Sequence, residues 1–490
     1  MTPPPRLSAA LLDRLEVARP RYDRSALETG IVHLGIGAFH RAHQAVYTED
    51  LLNAGAPLRW GIAAASLRSP ATRDALAPQD NLYALSTANG SPDLQAIGAV
   101  TEILVAPEDP ARLLERMCRP EVAIVSLTVT EKGYCHHPAS GDLNESHPDI
   151  VHDLANPDRP RSAIGFLAAA IAQRRARGLP AFTVLSCDNL PSNGRTVHRI
   201  LGQYAGLVSA DFGAFVADGI ACPDSMVDRI VPATTDADRD AIAARLGAAD
   251  AWPVVTEPFR QWVIEDRFTA GRPAWEEAGA EMVADVAPYE AMKLRLLNGA
   301  HSGIAYLGYL AGRETVAEVM EEPGFAPFLA RLMDDAATTL DMPPGADVAA
   351  YRRALLLRFR NPGLRHRCWQ IAMDGSQKLP QRLLGTARDR LAAGRPIDRI
   401  ALVVAAWMRY VGGVDERGRA IDVRDPLADS LAAASRRAGG DPDATVHALL
   451  GFPAVFGDDL PRDERFVRAV TEAYGRLVRQ GARAAVGMDG

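Results

Sequence analysis

A short apolar run, Ile31 to Leu34, leads directly into Gly35-Ile36-Gly37-Ala38-Phe39-His40-Arg41-Ala42-His43, and a helical stretch from Ala42 to Asn53 follows. Strand, glycine turn and helix in that order restrict the chain to folds built on a βαβ unit. The two glycines let backbone N–H groups approach a pyrophosphate, and the helix start offers it unpaired donors. The third glycine of the usual dinucleotide fingerprint is replaced by His40, so the loop by itself also fits a plain strand-to-helix turn. His40 and His43 are three residues apart without a third ligand nearby, which favours a cofactor-loop or packing role over a metal site.

The same texture continues through the first half. Gly61 to Leu67, Val122 to Val129 and Phe182 to Cys187 are apolar runs bounded by turn or cap residues, and Ser162 to Arg177 is helical in pattern. Alternation of this kind predicts an α/β domain with a mainly parallel, buried sheet. Within Asn81 to Val105, Asn89-Gly90 sits between alternating stretches, which predicts a β-hairpin added to the core sheet and covering one of its edges. From about Tyr289 the pattern changes to long helices such as Val348 to Phe359 and Asp398 to Tyr410. At 490 residues the chain exceeds one ordinary core. The expected organisation is an N-terminal Rossmann-type α/β domain, 1–285, and a mostly α-helical domain, 286–490.

Composition narrows the partners. Hydrophobic residues make up 48% and charged residues 23%, the balance of a globular protein with a sizeable interior. A net charge of -7 provides no attraction for nucleic acid or anionic lipid. The N-terminal segment has no basic start or unbroken apolar run, so a cytoplasmic location is expected. Five scattered cysteines without a Cys-x-x-Cys pair read as reduced thiols. The densest set of metal-ligand types, Glu131, Cys135, His136 and His137, reads as a solvated loop, and no metal is expected. No apolar association face is legible, so a monomer or weak oligomer is expected.

Where the second strand should end on an acid for the adenosine ribose, the chain has Leu67-Arg68-Ser69-Pro70. Arg68 suits a 2′-phosphate, which leaves NAD and NADP balanced. A second segment, Tyr289 to His301, gathers a base, an amide and an imidazole: Lys293, Asn298 and His301. On an α-helix of about 100° per residue, His301 lies roughly 80° and Asn298 roughly 140° from Lys293, so the three can border one cleft. Alcohol oxidation needs a group that takes the hydroxyl proton, and a lysine serves if burial or nearby Arg295 lowers its pKa. A solvated helix with an ordinary lysine and a capping asparagine fits the same letters. Tyr289-x-x-x-Lys293 also matches the pair of short-chain dehydrogenases. There, however, the pair follows the cofactor loop within one small domain, and here it lies about 250 residues further on.

Taken together, these segments resemble the polyol-specific long-chain dehydrogenases. The likeness is collinear through Gly35 to Gln44, SLTVTEKG from Ser126, SCDNLPSNG from Ser186, MVDRIVP from Met226, TEPFRQWVIED from Thr256, the Lys293 to His301 segment and DGSQKLP from Asp374. It implies an expanded Rossmann domain followed by a helical domain, substrate bound between them, and hydride exchange between NAD(P) and a secondary alcohol of a hexitol or hexonate without a metal. Residue by residue, Lys293 matches the general base, Asn189 and Asn298 the amides that polarise the reacting oxygen, and His301 a substrate-orienting group. Asp228 matches a substrate-contacting acid and Glu131 a glutamate of proton passage. Gln370 stands where mannitol-oxidising members carry an arginine, eight residues before Lys378. That departure resembles the hexuronate-reducing branch and favours interconversion of fructuronate and mannonate. Lys378, Arg365 and Arg367 are then the carboxylate candidates. A sugar-phosphate dehydrogenase with a Rossmann domain, and a cofactor-sensing binding protein, are the alternatives.

Overall fold

The computed structural model describes residues 4–88, 93–137 and 140–487. The chain forms two compact units, Met1–Ala287 and Pro288–Gly490. The strands of the first unit are β1 (Thr29–Leu34), β2 (Gly61–Ser66), β3 (Tyr83–Thr87), β4 (Asp93–Ile97), β5 (Val100–Val105) and β6 (Ile124–Leu127). They continue with β7 (Thr183–Ser186), β8 (Ser225–Asp228), β9 (Val254–Thr256), β10 (Gln261–Glu265) and β11 (Glu281–Val283).

The main sheet has the order β5-β2-β1-β6-β7, and all its pairings are parallel. Every residue of β1, β6 and β7 is buried, as a sheet covered on both faces requires. Side chains alternate between the two faces. Val32, Leu34, Val125, Leu127 and Val184 pack with the helix Ala163–Ala176 in one core. Ile31, Ile62, Ala64, Ile124 and Leu185 pack on the other face with the helix Gln44–Asn53. That helix and the short one before it, Ala38–Ala42, are separated by His43, whose backbone (φ -126, ψ -85) interrupts the single helix predicted there.

The hairpin expectation needs correction. β3 and β4 do pair antiparallel, with Tyr83 opposite Ile97 and Thr87 opposite Asp93, while the Asn89-Gly90 turn lies outside the described residues. The pair does not join the main sheet: it forms a separate three-stranded sheet, β4-β3-β9, in which β9 runs parallel to β3. Only β5, from the end of the same stretch, reaches the main sheet, as its edge strand beside β2. Alternation shows that a strand has a buried face, and it carries no information on which sheet supplies the partner.

In the helical unit, Asp398–Val411 is buried from Ile400 through Met408. A helix apolar on every side must be surrounded. Gly299–Leu310 and Glu464–Gly487 are the neighbours that pack most extensively against it. Among the described residues of this unit, two short segments are wound more loosely than an α-helix. Lys293–Asn298 and Pro380–Leu384 are π-helical, and they lie against each other. Their close approach uses Gly299, where an added Cβ would meet the Arg382 carbonyl oxygen at 3.0 Å.

Candidate functional site

In the N-terminal unit a cavity of about 1050 Å3 opens at the carboxyl ends of β1, β2, β5 and β6. Ligands of doubly wound sheets bind at that edge. Its floor is Gly35, Ile36 and Gly37. The walls come from Ser66, Leu67 and Arg68 after β2, Thr128 to Thr130 after β6, and the segment from His147 to Ala163. Gly35 has φ +101, and a methyl there would collide with the Thr128 carbonyl. Gly37 has only the Gly35 carbonyl oxygen near its Cβ position, at 3.9 Å, so its backbone faces open space. Arg68, Lys132, Arg159 and Arg161 give the lining a cationic character against one acid, Asp149. The space, the bare glycine backbone and the charge fit a dinucleotide.

Of the loop residues singled out from the sequence, Gly35, Ile36, Gly37 and Arg68 line this cavity. Ala38, Phe39 and His40 are outside its lining. His40 is fully buried and stacks on His33 with ring centroids 3.4 Å apart, and Phe39 stacks on His43 at 5.1 Å. Burial drives the pKa of His40 well below the ordinary histidine value and that of His33 down to about 3, so both are neutral. The sequence marks His33 only as a strand residue. It bonds Ser126 Oγ at 2.8 Å and Thr128 Oγ1 at 2.9 Å, and Thr128 Oγ1 donates to the Gly35 carbonyl at 2.7 Å. A polar residue in an apolar strand was the available signal, and its partners are distant in sequence.

Asp188 was missed in the same way. Its carboxylate accepts from the backbone N–H groups of Val129 and Thr130, both at 2.8 Å, and from the Tyr134 hydroxyl at 2.7 Å. It therefore clamps the cavity wall after β6, where Thr130 is held at φ +65. Burial raises its pKa, partly offset by the hydrogen bonds from Tyr134, Val129 and Thr130. Asn189, the next residue, is exposed just beyond β7, and Glu131 is exposed just beyond β6. Asp228 is 4% exposed at the end of β8, opposite Gln261 of β10. Its neighbour Arg229 ties the strand to the carbonyls of Glu257 and Ala42.

The ligand types noted around Glu131 assemble differently from the sequence reading. Among the described residues, Cys135, His147 and Asp149 bring one ligand atom each within 4.8 Å of one another, whereas Glu131, His136 and His137 are not part of that group. The Cys135 thiol is pushed up to about 12 by burial, with Asp149 and Asp153 adding to the effect, and the His147 ring accepts the Asp149 backbone N–H.

The helical unit carries the second set of residues. Lys293 is half-buried, at the first position of the π-helical turn that ends on Asn298. A π-turn closes its hydrogen bond over five residues. Lys293 and Asn298 therefore stack on one face instead of the 140° apart that α geometry gave, and His301 follows one turn later on the next helix. Asn298 and His301 are each 7% exposed, and Asn298 Nδ2 and His301 Nε2 have no hydrogen-bond partner among the described residues. Two buried polar nitrogens held without partners beside a half-buried amine are what a hydroxylated ligand would satisfy. The Arg295 guanidinium donates to Thr339 Oγ1 at 2.7 Å and to Asp389 Oδ2 at 2.5 Å.

His301 packs its ring against Phe359 at 4.8 Å and against His366 at 5.3 Å, edge to face. Burial holds its pKa well below the ordinary value, with the charges of Arg382, Arg358 and Lys293 acting in the same direction. Lys378 Nζ donates to the Met373 carbonyl at 2.6 Å. Arg365, Arg367 and Gln370 are exposed. No helix among the described residues is long and apolar enough to cross a membrane.

Comparison with known proteins places these features in a family. Residues 29–277 match the mannitol dehydrogenase Rossmann domain, and residues 285–478 match the mannitol dehydrogenase C-terminal domain. The chain is similar to D-mannonate oxidoreductase of Escherichia coli strain K12, 49% identical over 96% of this chain and 98% of that one. It is 41% identical to mannitol 2-dehydrogenase of Aspergillus fumigatus over 94% and 93% of the two chains. Among solved structures, it superimposes on Pseudomonas fluorescens mannitol 2-dehydrogenase in ternary complex with NAD and D-mannitol. That comparison gives a TM-score of 0.87 and 40% identity, covering 99% of both chains.

Proposed function

Since the chain belongs to the mannitol dehydrogenase family, we propose that it interconverts a secondary alcohol and a ketone of a hexonate, acting on D-mannonate and D-fructuronate with NAD and without a metal. The observation that carries the chemistry is the π-turn of Lys293, with the buried, partnerless side-chain nitrogens of Asn298 and His301 on the same face. The 49% identity to a D-mannonate oxidoreductase supports the substrate class, as does glutamine at position 370. NAD is supported by the related structure that contains it; exposed Arg68 is the residue that would accept a 2′-phosphate if NADP were used. Five buried, unpaired cysteines support a reducing compartment such as the cytoplasm.

In this reading Lys293 Nζ takes the proton of the reacting hydroxyl. Asn298 and Asn189 donate to the same oxygen as negative charge develops on it. His301 and Asp228 orient neighbouring hydroxyls, and exposed Glu131 exchanges the proton with solvent. Gly35, Ile36, Gly37 and Arg68 would hold the dinucleotide, which when bound supplies the hydride acceptor. Reduction reverses each step.

The test is absorbance loss on mixing the protein with NADH or NADPH and D-fructuronate, D-tagaturonate, D-fructose or fructose 6-phosphate. Fructuronate with NADH is expected to be fastest. Fructose alone would replace the hexonate by a hexitol, and fructose 6-phosphate alone would indicate a phosphate-binding dehydrogenase. Lys293→Met should lower kcat by about 1000-fold while NADH binding is kept; comparable turnover across pH refutes its role as base.

A further inference from the structure

We propose that Cys135, His147 and Asp149 form a site for a zinc-class divalent ion at the wall of the dinucleotide cavity, and that the bound ion excludes NADH. The ion is an inhibitor there and takes no part in hydride transfer. The step rests on the cavity being the dinucleotide site.

The three side chains each bring one ligand atom within 4.8 Å of the others, and all three line the cavity together with Gly35, Ile36 and Gly37. They combine a sulfur, an imidazole nitrogen and a carboxylate oxygen. That mixture suits Zn2+ or Co2+, whereas Mg2+ and Ca2+ take oxygen ligands. Zinc held tetrahedrally at about 2.0–2.3 Å keeps such ligands roughly 3.5 Å apart, so inward movements of about 1 Å complete the site. Three protein ligands leave the fourth position to water from the cavity.

The ligands come from two segments of wall that the backbone already ties together. Cys135 closes the turn Glu131–Tyr134 in the left-handed conformation, φ +51, next to the wall residues Lys132 and Gly133. His147 and Asp149 stand at the start of the helix Pro148–Ala155. The Asn144 N–H donates to the Cys135 carbonyl at 2.8 Å, and the His147 N–H to the Asn144 carbonyl at 3.0 Å. Among the described residues that line the cavity, Asp149 is the one acid. An ion that takes this carboxylate and the Cys135 thiolate is balanced in charge, and the thiol proton leaves to solvent.

Occupation changes the wall. The His147 ring caps its own helix, with Nδ1 accepting the Asp149 backbone N–H at 3.2 Å. An imidazole on a metal carries its proton on the other nitrogen. Whichever nitrogen binds the ion, Nδ1 therefore has no lone pair left for the amide. Binding uncaps the helix and draws its first turn toward Cys135. The space between the two wall segments narrows, and the ion with its water competes with the dinucleotide for what remains.

The experiment adds Zn2+, Co2+ or Mg2+ to the chelator-treated protein and follows two signals. Co2+ should give a near-ultraviolet thiolate-to-cobalt band, and the NADH Kd, read by fluorescence, should rise with Zn2+ as competition requires. Mg2+ should change neither. Cys135→Ser should abolish the band. Cys135→Ser, Asp149→Asn and His147→Asn should each raise the Zn2+ concentration that halves NADH binding by at least about 10-fold. Asparagine is itself a good helix cap, so a loss in His147→Asn reports a lost ligand and not a lost helix end. A cobalt band that persists in Cys135→Ser overturns the site, as does Zn2+ sensitivity kept within threefold in both Asp149→Asn and His147→Asn. These two variants also decide if Cys135→Ser does not fold. A cobalt band with an NADH Kd indifferent to Zn2+ overturns the exclusion. A metal-free protein that does not bind NADH defeats the dinucleotide reading of the cavity, and the cobalt band then still decides the site.

Discussion

Asp188→Ala removes one carboxylate that holds three donors, and the consequence can be worked from the geometry. The Tyr134 hydroxyl keeps a partner, Ser186 Oγ at 2.6 Å. The backbone N–H groups of Val129 and Thr130 lose theirs. A hydrogen bond to a charged acceptor contributes about 1.5–3 kcal/mol, so two lost bonds amount to roughly 3–6 kcal/mol. Part of this is returned, because burial disfavours the ionised carboxylate at 9% exposure. Water also reaches the Thr130 amide once the side chain is gone. A net loss of about 2–4 kcal/mol is expected for Ala. Asn keeps one acceptor oxygen and should lose about half as much. Urea unfolding followed by the tryptophans of the N-terminal unit, Trp60, Trp252, Trp262 and Trp275, gives the stability term. NADH titration gives the effect on the cavity wall, where at least a tenfold weaker Kd is expected. If both variants unfold within 0.5 kcal/mol of the wild type and bind NADH equally, the Asp188 clamp is not what shapes the wall after β6.

Further predictions concern acid, the glycine floor and metal. Burial lowers the pKa of His33 and His43 to about 3 and of His366 to about 4, and holds His40 and His301 well below 6.5. The unfolded chain therefore binds protons that the folded chain refuses, and stability is lost as pH falls below about 6.5. Glu49, raised to about 7 by burial, acts in the opposite direction between its unfolded value and pH 7. The buried histidines make stability fall on acidification; calorimetry showing a constant Tm from pH 7 to pH 5 contradicts it. Gly35→Ala should destabilise the N-terminal unit by about 2 kcal/mol or more, since both φ and the Thr128 carbonyl oppose a side chain, and a variant with wild-type Tm and NADH affinity would refute that. Prolonged dialysis against a chelator should leave turnover unchanged, and recovery only on adding back a divalent cation would make the metal-independent reading untenable.

How much of this was legible beforehand depended on the range of the interactions involved. The strands of the main sheet were readable because burial on both faces writes itself as a continuous apolar run, as in Ile31 to Leu34. Asp398 to Tyr410 was readable because an apolar helix has the same kind of local signature. The partner of β3 was not, since Val254–Thr256 lies far along the chain and is only three residues long. The residue types of the Lys293 segment are legible in the sequence, and its π geometry is not. A π-turn uses the same amino acids as an α-turn, and the packing of Pro380–Leu384 against it is tertiary information. His33 and Asp188 are illegible for a related reason: each is an ordinary polar residue until the fold brings its partners close.

The π-turn at Lys293 also bears on how such chains are related to one another. Its hydrogen-bonded ring holds one residue more than an α-turn, so by the count of an ordinary helix the segment contains a one-residue insertion. Loss of any single residue between Lys293 and Asn298 would let the helix relax into uninterrupted α geometry with its fold intact. The lysine and the asparagine would then stand four residues apart in α geometry, about 40° around the axis, so the amine and the amide would still share one face. Among relatives of this chain, a lysine and asparagine five apart on a π-turn and four apart on an α-turn are therefore equivalent arrangements, and their spacing carries meaning only together with the geometry of the helix.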